Sequence, residues 1–275
     1  MSHPQSDTHL QTDSDFRSDS HLQSDLHTHT TYSDGYDMEA MVRAAEEAGL
    51  ERIGVTDHCL PYEDPFGRSD RYDFDETYEE RRADVETLRR DESIGVDVLD
   101  AVEINYDPNH EQAIREFLAE ADFDYVIGSV HYAGEYYVAH PEHIADEPKE
   151  TRRAAIENYV DWQVKLIESG LFDVLGHLDV VRRSPILRED MLEDDYRTIA
   201  DALSASVTVP EINAGRLDRE YGTIHPHPDH LDVFREAEVP FVFGTDAHAP
   251  DQLRERLRLL EPLIEDLGVE LAKIG

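Results

Sequence analysis

The sequence predicts a parallel α/β fold, either a closed (β/α) barrel or a doubly wound sheet, on three observations. Short β-rich runs alternate with helical patterns seven times between Asp25 and the C-terminus. The helical stretches are long enough to carry parallel crossovers. A length of 275 residues suits one barrel-sized domain, and no shift in composition marks a second.

The β-rich runs lie near 25–28, 52–56, 96–104, 124–130, 173–177, 207–212 and 240–245. They are short, apolar and rich in Val and Ile, as strands buried on both faces are. Helical patterns fall near 38–49, 75–91, 109–120, 149–169, 190–204, 229–237 and 250–267. In the first, Met38, Met41, Val42 and Ala45 share a face and Gly49 supplies a stop. Pro250 and Asp251 open the last in the manner of a capped start. Pro210 sits awkwardly in the sixth run, because proline has no ladder donor.

Residues 1–24 are polar and imperfectly repetitive (His9-Leu10-Gln11-Thr12-Asp13, then His21-Leu22-Gln23-Ser24-Asp25). They cannot bury enough apolar surface to offset their ordering entropy, so a disordered tail precedes a domain of 25–275. The net charge is −38, and lysine is confined to Lys149, Lys165 and Lys273. Such a charge repels itself in the compact state unless salt screens it, which suits a salty cytoplasm. It argues against nucleic-acid and membrane-surface partners, which need a basic face. One cysteine, Cys59, rules out an internal disulfide. With no membrane-length apolar run and no secretory signal, the expected location is cytoplasmic.

Function is written at the ends of the strands. The first run ends in His27-Thr28-His29, with Asp34 shortly after. One intervening residue puts both imidazoles on the same side of an extended chain, where they suit Zn²⁺, Mn²⁺ or Fe²⁺. The other runs end in Thr56-Asp57-His58, Glu103-Ile104-Asn105, Ser129-Val130-His131, Gly176-His177-Leu178-Asp179, Glu211-Ile212-Asn213 and Thr245-Asp246-Ala247-His248. Each run thus delivers a metal-ligand type or a carboxamide at its C-terminal end, the face on which β/α barrels build their sites. An isolated pair of histidines would be unremarkable; recurrence at seven strand ends points to a metal site.

In this order the motifs resemble the polymerase-and-histidinol-phosphatase (PHP) metallohydrolases, over nearly everything from Asp25 to about Gly268. Thr56-Asp57-His58-Cys59 with Pro61, Gly128-Ser129-Val130-His131, Asp173 through Asp179 followed by Arg182-Arg183, and Glu211-Ile212-Asn213 are most similar to the histidinol-phosphatase branch. The resemblance implies a distorted (βα)7 TIM-like barrel holding two or three divalent ions. The ligands it implies are His27, His29, Asp34, His58, Glu103, His131, His177, Asp246 and His248. The turn at Ala214-Gly215-Arg216 and the run Tyr132 through Tyr137 depart from the pattern, and both concern the substrate more than the metals.

A phosphomonoesterase acting on L-histidinol phosphate is therefore the leading expectation. A phosphoesterase for nucleotides or other small esters is second, and a non-catalytic metal-binding module third. Glu103 offers one oxygen to each of two ions, and Asp246 stands with it as catalytic. Arg182 and Arg183 are positioned to clamp phosphate. Asn213 and Arg216 are further substrate contacts. Asp246, His225 and His227 are all within reach of a leaving group, and Asp57 and Asp179 could each orient a neighbouring imidazole.

Overall fold

The computed structural model describes residues 22–62, 74–133, 135–138 and 142–274. Seven parallel strand positions run in the order β1 (Ser24–Thr28), β2 (Arg52–Val55), β4 (Asp97–Asn105), β5 (Tyr125–Ser129), β8 (Val174–Leu175), β9 (Val209–Asn213) and β10 (Val242–Gly244). The short β3 (His58–Cys59) prolongs the line of β2, since Arg52 pairs with Asp97 and His58 with Glu103. The ring closes where Asp246 donates its N–H to the His27 carbonyl at 2.7 Å and His29 donates to that of Ala247 at 2.9 Å. Asp25 clasps the same seam, accepting from the Thr245 N–H and hydroxyl. The closed barrel, not the doubly wound sheet, is the outcome.

Helices α1 (Met38–Glu47), α2 (Phe74–Arg89), α3 (Glu111–Glu120), α5 (Lys149–Ser169), α6 (Glu193–Ser204), α7 (Leu231–Glu236) and α8 (Pro250–Leu267) make the outer layer, one after each strand position. A small hairpin, β6 (Tyr132–Ala133) with β7 (Tyr136–Tyr137), and the short α4 (Glu142–Ala145) precede α5. The α1 stripe of Met38, Met41, Val42 and Ala45 is buried as expected, and Gly49 takes the left-handed conformation (φ 80°) that ends the helix. The start of α8 differs from expectation. Pro250 is in its first turn, but the cap position is Ala249, which makes no side-chain hydrogen bond.

The apolar core divides in two. The larger part lies between sheet and helices. The smaller one, Leu26, Leu99, Ala101, Tyr125, Ile127, Val174 and Val242, fills the barrel interior and is covered by Ala272 and Ile274. Tyr125 needs Gly54 opposite, because a Cβ there would stand 1.7 Å from its hydroxyl oxygen. Pro210 is tolerated because the ladder from β9 to β10 begins one residue later, at Glu211 with Val242.

The reading of a tail over 1–24 overshoots: Leu22 is buried and Ser24 already pairs with Arg52. Residues 1–21 lie outside the described part. No described helix is long and apolar enough to cross a membrane.

Candidate metal centre

Five imidazoles surround one buried carboxylate. Glu103 Oε2 faces His58 Nδ1 at 2.7 Å, His27 Nε2 at 3.5 Å and His29 Nε2 at 3.7 Å. Its Oε1 faces His177 Nε2 at 3.0 Å and His131 Nε2 at 3.7 Å. The side chains come from β1 and the residue after it, from β3, and from the segments after β5 and β8, and β4 carries Glu103 itself, so barrel closure alone brings them together. Asp246, after β10, adds an oxygen 3.3 Å from His29 Nε2. Asp34 reaches in from the loop after β1, 3.2 Å from His248 Nε2.

Ligand atoms within 4.8 Å of one another form three groups: His29, Asp34, His58 and His248; His27, His29 and Asp246; and Glu103, His131 and His177. All nine residues implied as ligands fall in these groups. The backbone is strained at two of them, Asp246 (φ 52°) and His177 (φ 20°), and aspartate tolerates that region better than most.

The donors fit divalent cations. His27 Nε2 and both ring nitrogens of His29 are buried without a hydrogen bond among the described residues, which costs about 1–3 kcal/mol apiece unless something binds there. Burial, with His248 and His58 beside it, lowers the pKa of His29 to about 4, so it is a neutral, ligand-ready ring. Burial would raise the Glu103 carboxyl, but His58 and His27 outweigh it and hold it well below the usual range. Imidazole nitrogens mixed with carboxylates suit zinc, iron or manganese.

A family model for the PHP domain matches residues 25–214. The chain belongs to the PHP family. The match spans β1 through β9; Asp246 and His248 lie beyond it. The "Probable histidinol-phosphatase" of Deinococcus radiodurans is 29% identical over 230 residues, 82% of this chain and 85% of that protein. In fold, the chain is similar to the crystal structure of a histidinol phosphate phosphatase from Lactococcus lactis subsp. lactis, solved with zinc, L-histidinol and phosphate. The TM-score is 0.74 at 22% identity, covering 92% of this chain and 97% of that one.

Around the PHP centre a second layer fixes the rings. Glu211 Oε1 is 2.9 Å from His27 Nδ1, and its Oε2 accepts the His177 N–H. Asn105 Oδ1 lies 3.0 Å from His131 Nδ1. Glu211 stands in the strand-end motif Glu211-Ile212-Asn213 without an assigned role, although its spacing of two from Asn213 on a strand places both on one face. Asp57 does not hold an imidazole. It accepts from Thr30 and Ser33 in the loop that carries Asp34, and pairs with the buried Arg81. Asp179 does hold one, but the ring is His225.

The structure separates the four substrate-contact candidates. Arg183 lies in the field of Asp246 and Arg216; burial and Arg216 lower its pKa to about 10. Neither Arg183 nor Arg216 has a carboxylate partner among the described residues. Arg182 turns away: its Nη1 donates to the Arg188 carbonyl and its Nε lies 4.0 Å from Asp179. Asn213 is also spent internally, its amide nitrogen donating to Glu211 and Asp246 while its oxygen caps the Gly215 N–H. It braces Asp246. His110 and His230 stack on Tyr62 and Tyr196, away from the centre.

Proposed function

We propose that this PHP protein is a metal-dependent phosphomonoesterase whose substrate is L-histidinol phosphate. The observation that carries the reading is the cage of nine residues centred on Glu103, with two arginines beside it that have no carboxylate partner among the described residues. Glu103, with its oxygens turned to different imidazole sets, would be shared between ions; the three groups of ligands would hold two or three. Bound there, divalent ions would activate water for attack on phosphorus and take up charge on the phosphoryl oxygens.

The protein's own part is positioning and charge. Arg183 and Arg216 repel each other, and a phosphate dianion between them would relieve that repulsion through charge-assisted hydrogen bonds. Asn213 is reassigned to brace Asp246, and Arg182 to hold the turn through the Arg188 carbonyl and Asp179. The high negative charge of the chain favours a small substrate over nucleic acid, and histidinol phosphate as that substrate accords with the Deinococcus relative's name.

The test is steady-state hydrolysis of histidinol phosphate against a panel of nucleotides and sugar phosphates, in multimolar salt, with metal content measured in the same samples. Selective turnover of histidinol phosphate, lost on chelation and restored by Zn²⁺ or Mn²⁺, is expected. Preference for a nucleotide would move the substrate; full activity in metal-free protein would end the reading.

A further inference from the structure

His225 is a fully buried imidazole that the nine-residue cage does not use. It follows β9 and is tied to Asn213 through two backbone hydrogen bonds, of 2.7 and 2.9 Å. Its Nδ1 is 2.5 Å from Asp179 Oδ1, and Tyr221 stacks on the ring at 4.8 Å and 9°. The other oxygen of Asp179 accepts from the Tyr196 hydroxyl and the His227 N–H. A carboxylate saturated in this way only accepts, so Nδ1 carries the proton and Nε2 of the neutral ring is a bare lone pair.

That lone pair has no hydrogen bond among the described residues, and neither has the buried Nε–H of Arg183. Arg183 ends the short turn Val180–Arg183 that Asp179 caps, and burial, with the Arg183 charge, lowers the His225 pKa. Asp179 thus links an unused acceptor, on the ring it holds, to an unused donor at the end of its own turn. Asp179 also opens the turn that presents Arg183, since its carbonyl accepts the Arg182 N–H at 2.9 Å.

We propose that Asp179 and His225 are positioning residues for Arg183. Asp179 fixes the tautomer, and His225 Nε2 takes the Nε–H of Arg183 through one water. The terminal guanidinium nitrogens are thereby left aimed at phosphate. The proposal rests on the phosphatase reading, so wild-type hydrolysis and competitive inhibition by inorganic phosphate are established first; a wild type that shows neither overturns both.

The experiment is a double-mutant cycle on the inhibition constant for inorganic phosphate, using H225F, R183M and the double variant, with bound metal measured in each. H225F should weaken phosphate and lower kcat/KM by roughly ten- to a hundredfold. In the R183M background the same change should cost less than about twofold. H225Q, whose side-chain oxygen can accept, should recover most of the loss. If H225F does not fold, D179N runs the same cycle, because an amide there frees the ring to turn its proton to Nε2. Equal effects in both backgrounds, or unchanged phosphate affinity with only a lower Tm, would overturn the assignment. So would a loss confined to esters with poor leaving groups, which marks a proton donor.

Discussion

Glu211 holds His27 by Nδ1 at 2.9 Å, and this turns the opposite nitrogen of that ring toward Glu103, 3.5 Å away. A carboxylate in this position fixes the tautomer and raises the basicity of the free nitrogen. There is no room for slack: a Cβ on Gly244 would come within 1.9 Å of Glu211 Oε1.

Glu211→Gln should therefore weaken metal binding by about 10–100-fold while the barrel stays folded. Chelator competition followed by elemental analysis measures it. Unchanged affinity would mean that His27 does not depend on Glu211.

How much of this was legible in the sequence depends on the length scale of each signal. The ligands could be read because a closed parallel barrel turns scattered strand ends into one rim, and a strand's period of two keeps His27 and His29 together. The bracing role of Glu211 was not legible because nothing local distinguishes a carboxylate that holds an imidazole from any other at a strand end; its partner is 184 residues away. Arg182 and Arg183 were inseparable for a similar reason. Adjacent residues in a tight turn point different ways, and only the positions of Asp179 and Arg216 decide which one faces the site.

Metal removal should expose a pH dependence that the loaded protein lacks. In the free protein burial pulls His58 down, but Glu103 and then Asp34 outweigh it and raise the pKa to about 9. A pKa above the unfolded value of about 6.5 means that the folded state holds the proton more tightly. The contribution is complete below about 6.5 and is lost as pH climbs through 9. The Tm of chelated protein should fall across that window, whereas a bound cation would take the proton's place and flatten the curve. Parallel melting curves with and without metal would refute this.

Arg183→Met and Arg182→Met should differ in kind. On the proposed function the first removes a donor to phosphate and should lower kcat/KM by about 10²-fold with little change in Tm. The second removes a buried brace from the Arg188 carbonyl and Asp179. It should lower Tm while leaving kcat/KM within about threefold. Equal losses of activity from both would return Arg182 to the phosphate contacts.

Salt should stabilise this protein. With 63 acidic side chains against 25 basic ones, most surface carboxylates have no cation to meet. At about 0.1 M salt the screening length is roughly 10 Å, so neighbouring carboxylates repel; at 1 M it is roughly 3 Å and they do not. Salt also weakens exposed pairs such as those of Arg43 with Glu39 and Glu46, but such pairs contribute only about 0–1 kcal/mol each. The buried bridges from Arg81 to Asp57 and Asp100 are shielded from the ions. Relief of repulsion is then the larger effect, and Tm at constant metal loading should rise steadily between dilute buffer and multimolar KCl. Calorimetry across that range decides it, and a flat or falling Tm would show that local pairing, not net charge, governs the stability of the fold.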